Sequence, residues 1–220
     1  MTSREDILAR LRARLNRSEA NAAAARAALE ATLAAKAIGP RPAIDTQKSA
    51  LAGRLIEKSL AQSSTVDCVA SLAEAPAAVA RYLATNGLPA QAVVWPALAA
   101  LDWAGVGLAI QARGAVDADR VGITGCFCAI AETGTLMLCS GPATPATVSL
   151  LPETHIALVP ASRIVPAMEE AFALARAELG ALPRAVNFVS GPSRTGDIEQ
   201  TIVLGAHGPS RVHLLLIEGA

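Results

Sequence analysis

The stretch GITGCFCAIAETGTLMLCS, residues 122–140, decides which fold the sequence predicts. Its two short apolar runs, residues 129–131 and 136–138, indicate buried segments. A tight polar turn separates these runs and consists of Thr133, Gly134 and Thr135. Glu132 begins this turn and is the only acidic residue of the stretch. The sequence therefore places a candidate functional carboxylate on a turn between two buried segments.

Glu132 has two interpretations. As a structural residue it would accept hydrogen bonds from neighbouring backbone amides. As a functional residue it would bind a ligand or act in catalysis, because carboxylates partly removed from water are typical of functional sites. The residue pattern alone leaves both open.

The composition indicates a globular protein with one main domain and an appended segment. The 220 residues are 52% hydrophobic and 17% charged, a balance unlike that of disordered chains. Aromatic residues make up only 3% and the formal net charge is zero. Surfaces that bind nucleic acid need stacking side chains or basic patches, so we expect no nucleic-acid partner.

The sequence predicts a cytoplasmic protein that does not span a membrane. Its two longest uncharged runs, residues 82–101 and 133–152, are interrupted by proline, glycine and polar residues. The first 15 residues interleave acids with arginines and lack the apolar centre of a secretory signal.

The four cysteines lack the C-x-x-C spacing of metal and cluster sites; they are Cys68, Cys126, Cys128 and Cys139. In a cytoplasmic protein we expect reduced and mostly buried thiols. The last three are an alternative set of metal or cluster ligands, but a fourth ligand at suitable spacing is missing. We therefore predict no metal site and no cofactor in this chain.

The N-terminal region, residues 1–45, is predicted to be a helical arm with a proline linker. Residues 3–37 are rich in alanine, leucine and arginine and favour one long helix. Residues 1–41 carry eight basic and four acidic side chains. A narrow apolar seam consists of Ile7, Leu8, Leu11, Leu15, Leu29 and Leu33. The arm is thus either a solvated basic helix or a docking element.

Residues 46–220 alternate short apolar strands with helices, which is typical of an α/β domain with an open, mostly parallel sheet and flanking helices. The predicted strands are residues 66–69, 92–95, 106–111, 155–159, 186–189 and 212–217. The predicted helices are residues 46–63, 74–86 and 162–179. Ligands of such sheets bind beyond the carboxyl ends of the strands.

The loop SGPSRTGDIE, residues 190–199, is the best candidate anion site of the sequence. Backbone amides of a Gly/Ser/Thr loop that opens into a helix suit a carboxylate or phosphate, and an arginine can bind two of its oxygens. The candidate ligand-binding residues are Ser190, Gly191, Ser193, Arg194, Thr195 and Asp197, together with Thr133, Gly134 and Thr135. Asp197 has an alternative role as a helix N-cap.

The loop GAHGP, residues 205–209, precedes the last predicted strand. His207 lies between its glycines and is a candidate general acid or base. A loop histidine that only bonds a backbone carbonyl is the alternative. His155 and His213 lie in predicted strands, so we expect them to be structural.

Four motifs in order give residues 46–217 a family resemblance. They are GITGxxxAIAETGTL at 122–136, SLLPETHIALVP at 149–160, SGPSRTGDIE at 190–199 and GAHGP at 205–209. These motifs resemble the lactate utilisation protein C family, the stand-alone members of the LUD-domain proteins. The resemblance implies a fold similar to the sugar-phosphate isomerase, deaminase and CoA-transferase group. It also implies a role beside two iron-sulfur partner proteins in oxidising L-lactate to pyruvate, with no cluster in this chain.

Three functions are compatible with these residues. In the first, the chain is an accessory subunit of a lactate-oxidising system, and its three loops bind a small anion with Glu132 and His207 as catalytic candidates. In the second, it is a transferase or isomerase in which Glu132 is the nucleophile or base. In the third, it is a non-catalytic docking or regulatory protein whose basic N-terminal arm binds the partner.

Overall fold

The computed structural model describes residues 3–35, 39–196 and 203–219. The chain divides into two units, residues 1–43 and 44–220. Among the described helices, none is both long and apolar enough to cross a bilayer.

The first unit is helical, but the single helix predicted from residue 3 to residue 37 is wrong. Its described part forms two helices, α1 (Ser3–Arg14) and α2 (Glu19–Ala35). Asn16 interrupts them with a left-handed backbone (φ 49°). The Ser18 amide donates to Asn21 Oδ1 at 2.9 Å, and the Asn21 amide donates to Ser18 Oγ at 3.3 Å. This reciprocal pair caps the start of α2, because side-chain oxygens satisfy amides that the first turn leaves free.

The second unit contains three helices and twelve strands among the described residues. The helices are α3 (Lys48–Ala61), α4 (Ala75–Thr85) and α5 (Met168–Leu179). The strands are β1 (Thr65–Val69), β2 (Gln91–Val94), β3 (Ala109–Ala112), β4 (Val121–Thr124), β5 (Cys128–Ile130), β6 (Thr135–Cys139), β7 (Thr154–Pro160), β8 (Ile164–Val165), β9 (Val186–Val189), β10 (Arg194–Thr195), β11 (Val203–Leu204) and β12 (Arg211–Ile217).

Six strands form an entirely parallel sheet in the order β1-β12-β7-β4-β2-β3. Its central strands are apolar on both faces, as parallel strands covered on both sides must be. In β7, Ile156 and Leu158 belong to the core that contains α4 and Trp103. Ala157 and Val159 belong to the opposite core, which contains Leu55 of α3. The predicted open, mostly parallel α/β sheet with flanking helices is confirmed.

A smaller sheet has the strand order β8-β5-β6-β9. In the chain, β5 and β6 lie between β4 and β7, whereas β8 and β9 lie between β7 and β12. Strands β5 and β6 form an antiparallel hairpin, and β9 pairs antiparallel with β6. Residues 186–189 are therefore a strand, as predicted, but not a member of the parallel sheet. The helix predicted from Ser162 begins only at Met168, because residues 164–165 are the strand β8.

Candidate functional site

The ETGT turn closes the β5–β6 hairpin and packs against the C-terminal end of α3. Gly134 has φ +65°, and a Cβ added there would lie 2.7 Å from both the Lys58 carbonyl carbon and the Ser59 amide nitrogen. Only glycine allows this backbone and this approach at once. The side-chain amide of Gln62 also donates to the Thr133 carbonyl oxygen. The turn is thus fixed by the last turn of a helix 70 residues earlier in the chain, a contact that no sequence motif indicated.

The turn that follows β9 contacts the same helix end. Gly191 has φ +81°, and a Cβ there would lie 2.5 Å from the Gln62 carbonyl oxygen. Arg194 Nη2 donates to that oxygen at 3.1 Å and also to the hydroxyl of Ser63. Within the described residues, the other guanidinium nitrogens of Arg194 make no hydrogen bond. The arginine therefore offsets the partial negative charge of the helix C-terminus while keeping donors free.

A row of three hydroxyls joins the two turns. The hydroxyls of Thr133 and Thr135 lie 2.8 Å apart, and those of Thr135 and Ser190 lie 2.7 Å apart. Thr135 is buried, whereas Thr133 and Ser190 are exposed. The pairing of β6 with β9 sets this geometry, because Leu136 lies opposite Val189. The row ends in hydroxyls that water or a ligand can reach.

The GAHGP loop lies against the same region through Ser193. The Ser193 amide donates to the Pro209 carbonyl at 2.8 Å, and the Gly205 amide donates to the Ser193 carbonyl at 2.9 Å. Strands β10 and β11 pair antiparallel, with Thr195 opposite Val203. The structure thus brings the ETGT, SGPSR and GAHGP loops together as one continuous surface, which we call the three-loop surface.

The predicted catalytic residues have few contacts. Glu132 is half-buried, and its amide donates to the Pro166 carbonyl at 2.9 Å. Its carboxylate has no hydrogen-bond or ion-pair partner among the described residues. His207 is exposed and likewise has no side-chain partner in the described part of the chain. Both are available to a ligand, and their catalytic roles stay predictions.

The described part of the SGPSRTGDIE loop contains no helix. The loop was expected to open into a helix, but Arg194 and Thr195 continue as the strand β10. A helix N-terminus therefore does not supply amides at these two residues, and Arg194 and the hydroxyls are the remaining donors. Asp197 lies outside the described residues.

The two glycines of the GITG motif have packing roles. A Cβ on Gly122 would lie 2.1 Å from the Val148 carbonyl oxygen, so β4 contacts the short helical turn at residues 146–149 directly. A Cβ on Gly125 would lie 3.6 Å from the ring of Trp95. These glycines shape the end of β4 and do not belong to the three-loop surface.

The thiols show no arrangement for binding a metal. The structure contains no group of three histidine, cysteine or acidic side chains placed to hold an ion among residues 3–35, 39–196 and 203–219. All four cysteines are free, but only Cys128 is fully buried and Cys68 is exposed, so the expectation of mostly buried thiols is wrong in part. Burial raises the pKa of both Cys126 and Cys128 to about 12, which keeps these thiols protonated.

Comparison with known protein families places the three loops in a recognised domain. The family model of the LUD domain matches residues 110–217. Residues 110–217 form a LUD domain. The match includes Glu132, the hydroxyl row, Arg194 and His207, whereas α3, against which the loops pack, precedes it.

Several curated relatives resemble this LUD domain. Lactate utilization protein C of Bacillus licheniformis is 40% identical over 102 residues, which are 45% of this chain and 42% of that protein. The same-named protein of Exiguobacterium sp. is 43% identical over 106 residues, 47% of this chain and 46% of that protein. In Bacillus subtilis the identity is 41% over 101 residues, 44% of this chain and 42% of the relative. The matched part of this chain thus spans less than half the length of these relatives. Over residues 110–217, the resemblance that the four motifs predicted is confirmed.

A solved structure resembles this chain over most of its length. The crystal structure of a DUF162 family protein from Deinococcus radiodurans superposes with a TM-score of 0.61 at 25% identity, covering 79% of this chain and 100% of that chain. The similarity extends beyond the matched domain and supports the α/β architecture described above.

Proposed function

We propose that this chain takes part in lactate utilisation as an accessory subunit of a system that oxidises L-lactate to pyruvate, and that its three-loop surface binds the small carboxylate. Support for the pathway comes from the relatives, which carry the name lactate utilization protein C. Support for the binding surface comes from the geometry of the loops.

One observation carries the binding proposal: the Thr135–Ser190 hydrogen bond joins the ETGT turn to the SGPSR turn. The two joined turns and their neighbours offer three kinds of side chain that suit a hydroxycarboxylate. Arg194 has guanidinium donors free among the described residues, the exposed Thr133 and Ser190 offer hydroxyls, and Glu132 has an unpaired carboxylate in the described structure.

The proposed roles follow from these groups. Arg194 holds the ligand carboxylate, since a guanidinium can bind two carboxylate oxygens at once. The hydroxyls of Thr133 and Ser190 orient the ligand by hydrogen bonds. Glu132 accepts a proton from the lactate hydroxyl or orients that hydroxyl, and His207 is a second acid or base candidate.

Oxidation of lactate to pyruvate releases two electrons and two protons. In this proposal, iron-sulfur partner subunits receive the electrons, and side chains of the three-loop surface receive protons. The chain would then act by binding and orienting the ligand within a larger assembly.

The unpaired carboxylate of Glu132 also supports a second candidate, a transferase of the CoA-transferase-like fold. In that function the Glu132 carboxylate attacks the thioester carbonyl carbon of a CoA ester, the C–S bond breaks, and CoA leaves as the thiolate. A carboxylate nucleophile must be free of strong partners and close to donors that stabilise an oxyanion. Thr133 is adjacent in the chain and its hydroxyl is exposed.

Calorimetric titration of the purified chain with L-lactate, pyruvate, acetyl-CoA and ribose 5-phosphate distinguishes these functions. The accessory-subunit proposal predicts heat from L-lactate or pyruvate and none from the other two ligands. Binding of acetyl-CoA or ribose 5-phosphate alone would favour the transferase or isomerase function. Absence of binding by all four would leave a docking role for this chain and contradict the proposed ligand.

A further inference from the structure

A cavity of about 430 Å³ lies at the carboxyl ends of β2 and β4. Trp95 follows β2, whereas Cys126 and Phe127 follow β4, and all three line the cavity. Cys139 at the end of β6 also lines it. Leu179, the last residue of α5, and Ala181 form its exposed rim. Its volume falls within the range of small-molecule sites, roughly 300–1,000 Å³.

The position of the cavity in the sheet is the first argument that it is a binding site. From β2 the chain continues to β3 on one side, whereas from β4 it continues through the small sheet to β7 on the other side. The boundary between the paired strands β2 and β4 is therefore the topological switch point of the parallel sheet. Ligands of open α/β sheets bind at such a point, beyond the carboxyl ends of the strands.

The polar groups in the cavity wall already have partners. Trp95 Nε1 donates to the Pro145 carbonyl at 3.0 Å, and Thr144 Oγ1 donates to the Cys139 carbonyl at 2.8 Å. Ser140 Oγ accepts from the Ala185 amide at 3.0 Å. A ligand in this cavity would consequently meet rings, aliphatic groups and thiols more than free donors.

The cavity also lacks a net charge. Among the described residues, no lysine, arginine, aspartate, glutamate or histidine lines it. Beside the cavity, Arg163 lies over the Phe127 ring at 4.8 Å and is bound to both carboxylate oxygens of Glu178 at 2.8 and 2.9 Å. Burial raises the pKa of Cys126 to about 12, so this thiol is neutral near pH 7. An anion would lose its hydration here without gaining a counter-charge.

We propose that this cavity binds an uncharged aromatic molecule of naphthalene size, packed against Trp95 and Phe127. The half-buried Phe127 ring supplies most of the apolar surface on which a flat ring packs favourably, and the Trp95 ring, 4% exposed, adds a smaller area. Gly125 lies beside the Trp95 ring, and a Cβ at residue 125 would make ordinary contact with that ring at 3.6 Å. This site is additional to the three-loop surface. It favours uncharged ligands, whereas the three-loop surface is proposed to bind a carboxylate.

Two probes with the same rings test this selection. N-phenyl-1-naphthylamine is uncharged, and 1-anilinonaphthalene-8-sulfonate adds one sulfonate to the same framework. The chain has two tryptophans, and Trp103 lies in the opposite core from Trp95. In a Trp103→Phe protein, energy transfer from tryptophan to the bound naphthylamine therefore reports on Trp95 alone.

We expect saturable energy transfer, with the uncharged probe binding at least tenfold more tightly than the sulfonate. Ala181→Phe, which places a ring at the rim, should lower the affinity for the uncharged probe at least tenfold. The matched control is Ala177→Phe on the exposed face of α5, which should leave the affinity unchanged.

The proposal would be overturned by equal affinity for the two probes or by non-saturable binding. It would also be overturned if Ala181→Phe and Ala177→Phe had equal effects on the affinity. If the Trp103→Phe protein does not fold, the same titrations with both tryptophans present, read from naphthylamine emission, give the same comparison. Circular dichroism of the Ala181→Phe and Ala177→Phe proteins separates loss of binding from loss of structure.

Discussion

The hydroxyl of Thr135 lies 2.7 Å from the hydroxyl of Ser190, although 55 residues separate them in sequence. This contact connects the turn of the β5–β6 hairpin with the turn that follows β9. Both turns also pack on the C-terminal end of α3, through Gly134 and Gly191 respectively. The three-loop surface is therefore held from two sides, by its own hydroxyls and by a helix that precedes the matched LUD domain.

Removing the central hydroxyl should loosen this surface. Thr135→Val keeps the shape of the side chain but deletes its hydrogen bonds to Thr133 and Ser190. We expect the free energy of unfolding to fall by about 1–2 kcal/mol, the usual size of one or two lost hydrogen bonds. Urea denaturation measures this, with Thr85→Val on the exposed end of α4 as the control. An equal loss in the control would refute a special role for the Thr135 hydroxyl.

Gly134 and Gly87 provide a matched pair for testing the contact with α3. Both have a left-handed backbone, with φ +65° and +61°, but a Cβ at Gly87 would meet no atom within 4 Å. Gly87→Ala should cost about 1 kcal/mol, the conformational penalty alone. Gly134→Ala adds a clash with Lys58 and Ser59 and should cost about 1–3 kcal/mol more. Equal losses in urea denaturation would show that the turn does not depend on α3.

The two glycines of the GITG motif should respond differently to alanine. A Cβ at Gly122 would lie 2.1 Å from the backbone oxygen of Val148, whereas one at Gly125 would make ordinary contact with Trp95 at 3.6 Å. Gly122→Ala should therefore destabilise the fold by about 3 kcal/mol or more, because strand and short helix must separate. Gly125→Ala should change the unfolding free energy by less than about 1 kcal/mol. Thermal unfolding of both proteins under identical conditions ranks them.

Two buried histidines should make the protein sensitive to acid. Burial lowers the pKa of His155 from 6.5 to about 4, and burial also lowers that of His213 to about 4, against a smaller opposing effect of Asp67. The Thr124 hydroxyl lies 2.8 Å from His155 Nε2, and the Thr65 hydroxyl lies 2.8 Å from His213 Nδ1. Between pH 6.5 and pH 4 the unfolded chain binds protons that the folded chain excludes. The free energy of unfolding must then fall as the pH falls through this window, by roughly 3 kcal/mol per histidine near pH 4.

Urea denaturation at pH 7, 6 and 5 checks this dependence. His155→Gln should reduce the slope of the unfolding free energy against pH, because the unfolded variant binds one proton fewer in this window. His207→Ala, which changes an exposed side chain, should keep the slope of the unmodified protein. A slope that persists in full without His155 would assign the acid sensitivity to other groups.

Local sequence patterns predicted much of the fold. The strands at residues 65–69, 154–160 and 211–217 and the helix at residues 75–85 were anticipated to within one residue at each end, because each combines a strong apolar pattern with clear end signals. The break at Asn16 was missed, since an alanine- and arginine-rich segment favours helix throughout and the interruption depends on one left-handed residue. The pairing of β9 with β6 was also missed, because strand partners depend on tertiary contacts that a four-residue strand does not encode.

The sequence likewise predicted some residues of the candidate site and missed others. The loops around Glu132, Arg194 and His207 were found from their glycines and hydroxyls, which are local signals. Gln62 and Ser63 were not found, although both bind the loops. They lie at the end of an ordinary amphipathic helix, and nothing in their sequence context indicates that the ETGT and SGPSR turns pack there. The cavity at Trp95 was missed for the same reason, because its walls come from four separate segments.

The most direct measurement of the central claim is the L-lactate affinity of Arg194→Gln compared with that of Arg176→Gln, both by isothermal titration calorimetry. Arg176 is exposed on α5, so its replacement removes the same charge without touching the three-loop surface. Urea denaturation of both proteins controls for the contact between Arg194 and the end of α3. We expect at least a tenfold weaker affinity for Arg194→Gln and no change for Arg176→Gln. Equal affinity in the two folded proteins would contradict carboxylate binding by the three-loop surface.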